Sequence, residues 1–450
     1  MSELRVLFLT PYIKAGQIDL ARKLSRVKLF ERPNRGGTHS GYITIDSWKK
    51  ATLLSPYSRP EKPGCLPAST LAPRWSWTVV PVREFLEIGP LGIDDQGRLS
   101  RASSLQRHVN VVYLDQPVGA GYSFTKGLLG YAKDLNDVSS GVLTFLDQFI
   151  TMFPEYANRT FYVGGESYGA RFAVGVSHAI HVGKEPRVPL HLRGVILGAG
   201  FLGRLMKVAD SSAFLYEMSL VTKKGRKSLA ESFADMRRKV RTLIGKLAAL
   251  LRLRKTIFTS EKKPTLFQKL TGFNNQASAL YSERPTNMVQ YEKYVQSDAF
   301  KRAVHIGRDV EFMKDEGKVA TSLKNDYLTD ISHEIEDLLQ SYKVLFYTGQ
   351  MDTLFPSRNL QEYFRSLDWT GAEEFRKAEP KHWKAYPTSR SVSGLVIRVR
   401  NMTDVVLFRA GHYTAVDEPD AANKMMLNFI EDNAKEWGIP DHAETSEKRG

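Results

Sequence analysis

Short runs of apolar, β-branched residues recur along the chain and alternate with stretches whose apolar positions return every three or four residues. The first pattern predicts buried strands and the second amphipathic helices. Strands are predicted over residues 5–13, 41–45, 109–114, 160–164, 192–197, 343–347 and 404–408, and helices over 135–153 and 170–182. Several of the strand segments are apolar throughout, as expected for a mostly parallel sheet covered by helices on both faces. The alternation predicts an α/β architecture. Residues 201–310 break the rhythm: they are rich in Lys and Arg, helical in pattern and free of a good strand. They are expected to form a helical lid inserted between two parts of one core, residues 1–200 and 311–450, with the strand–helix rhythm resuming near Ser341. The segment 47–82 does not fit. Its run from Ser55 to Pro67 (SPYSRPEKPGCLP) is turn-rich, without periodicity, and long for a loop in a compact domain.

Composition narrows the class. The 450 residues are 42% hydrophobic, 11% aromatic and 25% charged, which fits a globular protein and argues against wholesale disorder. The net charge of +15 is unevenly placed, with Lys and Arg crowded between Lys223 and Lys255. The plain reading is a solvated helical face. Nucleic acid is not an expected partner, because no zinc-finger spacing, RNP-like aromatic motif or heptad zipper accompanies the charge. Cys65 is the single cysteine, which rules out an intrachain disulfide, and neither cysteine nor histidine shows metal-ligand spacing; no metal or other cofactor is implied. No apolar run is long enough to span a membrane, and none is expected as a partner. The opening stretch reads as a buried strand in preference to a signal peptide. Asn158-Arg159-Thr160 and Asn401-Met402-Thr403 are glycosylation sequons.

The chemistry-bearing residues lie just past predicted strands. Phe161-Tyr162-Val163 runs into Gly165-Glu166-Ser167-Tyr168-Gly169, and a helical stretch follows. This is a G-x-S-x-G nucleophile elbow in strand–turn–helix context. The turn must be sharp, and a Cβ on either flank would strike neighbouring backbone. Ser167 also lies at a helix N-terminus, where oriented N–H groups favour an oxyanion. A serine hydroxyl needs a base, and the base needs an orienting acid. Asp352 follows the strand Val344-Leu345-Phe346-Tyr347, and His412 follows Val405-Val406-Leu407-Phe408 within Ala410-Gly411-His412. The order Ser167, Asp352, His412 is that of α/β-hydrolases. The competing readings are a turn serine, a helix N-cap or turn aspartate and a loop histidine.

These residues resemble the serine carboxypeptidases, in particular their vitellogenic-carboxypeptidase-like branch. The resemblance covers most of the chain. It rests on Leu9-Thr10-Pro11-Tyr12-Ile13, Gly41-Tyr42-Ile43-Thr44, Glu87-Ile88-Gly89-Pro90, the run from Asp115 to Phe124 (DQPVGAGYSF), Gly165-Glu166-Ser167-Tyr168-Gly169, Gly349-Gln350-Met351-Asp352 and Ala410-Gly411-His412. It implies an α/β-hydrolase fold with a helical lid, and an exopeptidase that takes single residues from peptide C-termini. Peptide substrates are the implied partners; the oligomeric state stays open, a homodimer included. It further implies that Ser167 attacks, His412 moves the proton, Asp352 orients His412, and the backbone N–H of Tyr168 donates to the oxyanion. Glu87 and Glu166 match the two acids that bind the substrate's terminal carboxylate. Two adjacent carboxyls share a proton more easily than both ionise, so best activity is expected in mild acid. The resemblance also implies the secretory route, lysosomal or extracellular.

Two departures stand out. The family's Asn/Gln-Gly-Gly-Pro-Gly loop, whose backbone gives the second oxyanion donor, has no counterpart between Thr44 and Glu87; Pro63-Gly64-Cys65 is the nearest remnant. Such a loss costs on the order of 10²–10³ in turnover. The segment is expected to be either divergent or altered in reading frame or exon choice, with a central strand lost. Leu197-Gly198-Ala199-Gly200 also carries Ala where the family usually has Asn. The rival readings are a non-catalytic peptide-binding homologue, an acyltransferase using the same triad, and nucleic-acid binding through residues 223–255.

Overall fold

The computed structural model describes residues 6–30, 37–46, 49–55, 69–72, 86–102, 104–125, 127, 130–432 and 437. In chain order the strands begin with β1 (Arg26–Val27), β2 (Thr38–Thr44), β3 (Lys49–Ser55), β4 (Ser69–Ala72), β5 (Leu91–Ile93), β6 (Leu99–Arg101) and β7 (Val112–Asp115). They continue with β8 (Phe124–Thr125), β9 (Thr160–Glu166), β10 (His191–Gly198), β11 (Lys343–Gly349), β12 (Lys381–Trp383), β13 (Gly394–Val399) and β14 (Met402–Leu407). Among the described residues twelve of these share one sheet, ordered β1-β2-β3-β7-β4-β9-β10-β11-β14-β13-β12, with β8 against β3. Neighbours from β7 to β14 pair in parallel; both flanks are antiparallel.

Both faces of the parallel centre are covered, and successive side chains feed two different cores. Phe161, Val163, Val195, Leu197, Val344 and Phe346 join one cluster with the helices Leu135–Met152, Tyr168–His181 and Ser332–Ser341. Tyr162, Ile196, Leu345 and Tyr347 join the other with the helix Pro419–Glu431. Burying each such side chain stabilises the fold by roughly 1.5–3 kcal/mol. This is why these strands are apolar without alternation. From Leu205 to Ser341 the chain is helical, including the basic helices Lys223–Lys239 and Leu243–Thr256. A small core of Leu215, Val221, Leu229 and Phe267 lies within this region.

Two expectations are corrected. The predicted strand over 5–13 is extended only at its start, where Leu9 N–H donates to Tyr42 O at 2.8 Å and Tyr42 N–H to Leu7 O at 2.8 Å. Thr10–Lys14 is a short helix with Pro11 in its first turn. Proline is suited there because that N–H has no intrahelical acceptor. The segment 47–82 is not loop throughout, and no central position of the sheet is empty. β3 lies within it, and β4 inserts in parallel between β7 and β9, pairing Thr70 with Tyr113 and with Gly164. Neighbouring strands supply the ladder partners, so pairing can form where local periodicity is weak. Pro63-Gly64-Cys65 and the stretch 73–85 after β4 fall outside the described residues.

Candidate active site

In a parallel sheet all C-terminal strand ends open on one edge, where functional groups of such sheets gather. Ser167 follows β9, Asp352 follows β11 and His412 follows β14, so the three predicted residues emerge on that edge from strands close together in the sheet order.

Ser167 sits at φ 56° and ψ −125°, a left-handed conformation that costs a residue with a side chain about 1–3 kcal/mol. The turn is held because Ser167 N–H donates to Gly198 O at 2.8 Å, while Ser167 O accepts from Phe201 N–H at 3.0 Å. Gly165 is obligatory: a Cβ there would lie 2.0 Å from Gly169 O. The helix Tyr168–His181 begins at the next residue, so the Tyr168 N–H belongs to the first turn, whose donors lack intrahelical acceptors. The Ser167 hydroxyl makes no hydrogen bond among the described residues.

Asp352 and His412 are buried, at 0% and 2% exposure. His412 Nδ1 and Asp352 Oδ2 are 2.8 Å apart. The other oxygen, Oδ1, accepts from Leu354 N–H at 2.8 Å and Phe355 N–H at 2.9 Å. One carboxylate therefore both closes its own turn and holds the imidazole. Asp352 caps no helix, since the next one begins at Ser357.

The two loops are stitched together. Gly349 meets the histidine loop so closely that a Cβ would lie 2.0 Å from Gly411 O. Met351 N–H donates to Ala410 O at 2.8 Å. Residues 276–279, between the helices Leu266–Thr271 and Thr286–Val295, complete the frame. His412 N–H donates to Ala277 O at 2.8 Å, Ala279 N–H to Met351 O at 2.9 Å, and the Thr353 hydroxyl to Gln276 O. A chain of aromatic contacts runs from Tyr168 through Phe201 (5.3 Å between ring centres) and Phe355 (5.9 Å) to His412 (5.6 Å). This ties the serine side of the site to the histidine side through an apolar wall.

Glu87 and Glu166 are both buried, at 6% and 4% exposure. Glu166 is the last residue of β9, paired with Gly198, and Glu87 lies just before β5. Three further features escaped the sequence reading. Asp417 Oδ2 accepts the Gly411 N–H at 2.7 Å, next to His412. Burial first, then the Glu418 and Asp352 charges, push its carboxyl up to about 6 against the Gly411 hydrogen bond. Arg171, fully buried, donates to Asp326 Oδ2 at 2.8 Å, and the Tyr168 hydroxyl donates to the same oxygen. Asp115 accepts the Tyr122 N–H at 2.8 Å and is pushed up to about 7 by burial. Asp115 lies in the resemblance motif, so a signal existed for it. No motif in the sequence marks Asp417 or Asp326. Among the described residues no three His, Cys, Asp or Glu side chains form a group suited to a metal ion.

The sheet order and the strand–turn–helix elbow define an α/β-hydrolase. The chain belongs to the serine carboxypeptidase family, whose model matches residues 84–432. It is 29% identical to the probable serine carboxypeptidase CPVL of Pongo abelii over 94% of this chain and 89% of that one. The venom serine carboxypeptidase of Apis mellifera is likewise 29% identical, over 94% and 90%. The vitellogenic carboxypeptidase of Aedes aegypti is 26% identical, over 95% and 90%. Among solved structures, Kex1(Δ)p, a prohormone-processing carboxypeptidase from Saccharomyces cerevisiae, superposes with a TM-score of 0.71 at 17% identity, over 91% of this chain and 95% of that one.

Proposed function

We propose that this chain is an active serine carboxypeptidase that removes C-terminal residues from peptides through an acyl-enzyme. The observation that carries the reading is the buried 2.8 Å pair of His412 Nδ1 and Asp352 Oδ2 on the same sheet edge as the strained Ser167 elbow. Ser167 Oγ attacks the carbonyl carbon of the last peptide bond, and its proton passes to His412 Nε2. Asp352 holds Nδ1 protonated and stabilises the imidazolium. The Tyr168 N–H donates to the oxyanion. When the C–N bond breaks, His412 returns the proton to the departing amino acid. Water then reverses the sequence on the ester.

Glu87 and Glu166 bind the substrate's terminal carboxylate as a carboxyl pair sharing one proton, which favours mild acid. Both side chains are buried, and Glu166 ends β9 immediately before Ser167. The helical stretch 201–310 acts as the lid between core parts 1–200 and 311–450. The protein travels the secretory route, in line with the family.

The test is release of the C-terminal residue from a blocked dipeptide at mildly acid pH, with fluorophosphonate labelling and a Ser167→Ala variant beside it. Release and labelling are expected, both lost in the variant, with kcat falling by about 10⁶. A folded wild-type chain that neither labels nor releases residues overturns the proposal in favour of a peptide-binding homologue. Labelling without peptide release, accompanied by acyl transfer to an alcohol, points to the acyltransferase reading.

A further inference from the structure

The helix Leu243–Thr256 turns one face to the core, burying Ala249, Leu250 and Leu253. Its opposite face is not polar. Ile244, Leu247 and Leu251 are 87%, 54% and 53% exposed. Their i, i+3, i+7 spacing puts them on one stripe, an exposed apolar ridge along the helix. A soluble helix ordinarily places charge there. Exposed Arg254 and Lys255 flank the ridge at its end, and exposed Arg241 lies just before its start. None of these three meets a carboxylate among the described residues, whereas the neighbouring Arg237, Arg238, Lys239 and Arg252 are paired with Asp210 or Asp235. No acidic residue occurs between Asp235 and Glu261.

We propose that this ridge docks on an anionic lipid surface, the three apolar side chains entering the acyl boundary while Arg241, Arg254 and Lys255 meet the headgroup phosphates and carboxylates. Exposed apolar side chains bordered by unpaired cations are what an interfacial helix presents to such a surface. Long Arg and Lys stems lie along the apolar boundary and keep their charged heads in the polar layer. A second copy of the chain fits less well, because a self-complementary contact through the ridge would bring the same cations together. A nucleic acid would satisfy the cations and leave the apolar ridge without a partner. The helix lies within the stretch 201–310 but outside the loops that carry Ser167, Asp352 and His412, and the inference does not rest on catalysis by them.

Flotation of the full chain with phosphatidylcholine vesicles, with and without about 30% phosphatidylserine, at about 0.1 M salt tests the proposal. Binding is expected only with phosphatidylserine. Substituting Ile244→Ser, Leu247→Ser and Leu251→Ser together is expected to weaken it roughly 100-fold, through loss of apolar transfer. Arg241→Gln, Arg254→Gln and Lys255→Gln together should weaken it about tenfold and flatten its salt dependence. Lys262→Gln, Lys263→Gln and Lys384→Gln, an equal loss of exposed charge elsewhere, should leave it unchanged, and all variants should keep the wild-type melting temperature. Failure of the wild-type chain to float overturns the proposal. So does undiminished flotation of the apolar variant, which would mark attraction by net charge alone. Self-association abolished by the apolar substitutions overturns it in favour of a dimer contact. Equal binding to polyglutamate or duplex DNA, with the same losses, overturns it in favour of an acidic macromolecule.

Discussion

Asp352 divides its work between two oxygens, and that division determines what a substitution would do. An asparagine side chain in its place would keep an oxygen for the Leu354 and Phe355 N–H groups and turn its amide nitrogen toward His412 Nδ1. Nδ1 would then have to accept, leaving the proton on Nε2, where the base must be free. Asp352→Asn is therefore expected to lower kcat by about 10⁴ with little loss of stability, as steady-state kinetics and thermal melting would show. Asp352→Ala is expected to lose the turn as well, and to melt at a lower temperature. Ser167, Asp352 and His412 were legible in the sequence because a strained turn, a strand end and a flanking glycine each leave a local mark. Asp417 and Asp326 left none, since each acts on a group it meets only through the fold.

At the scale of elements, the site depends on chain segments approaching more closely than side chains allow. Gly349 lies at the end of β11 and faces the histidine loop, and a Cβ there would come within 2.0 Å of Gly411 O and 2.4 Å of Ala410 O. Backbone cannot yield as a flexible side chain would. Gly349→Ala is expected to cost about 3 kcal/mol or more in urea unfolding, and to abolish fluorophosphonate labelling even where the chain still folds. Gly317, in the helix Glu316–Ser322, has nothing within 4 Å of a Cβ and gives the opposite expectation. Gly317→Ala should stabilise by up to about 1 kcal/mol. The two glycines look alike in composition, and their surroundings give them opposite signs.

For the whole molecule, three carboxyls set the response to pH. Burial pushes Asp115 up to about 7, and Asp404 and Asp417 up to about 6. In the unfolded chain each titrates near about 3.9. Between about pH 4 and pH 7 the folded protein thus holds more protons than the unfolded one, and stability falls as pH rises through that window. Burial also acts to raise Asp330 and Asp432, but hydrogen bonds from Ser332 to the first, and Lys343 and Arg398 beside the second, outweigh it and hold both below the usual range. Their contribution is present above about pH 4 and is lost on further acidification. The net charge of +15 adds self-repulsion as carboxylates protonate. The melting temperature is expected to peak near roughly pH 5 and to stand several degrees above its value at pH 8. A maximum at pH 8 would mean that these three acids ionise as exposed ones do.

The sequence by itself determined the α/β class, the parallel centre of the sheet and the helical run after β10. A strand buried on both faces has to be apolar at every position, and an amphipathic helix has to repeat its apolar positions, so these elements write themselves into local pattern. Tertiary structure alone decided the place of β4. Its four residues lack periodicity, and its position comes from ladder partners on β7 and β9. It also decided that Thr10–Lys14 turns helical, and that residues 276–279 frame the Asp352 and His412 loops. Backbone hydrogen bonds between distant segments carry no side-chain signature, and a sequence pattern cannot announce them.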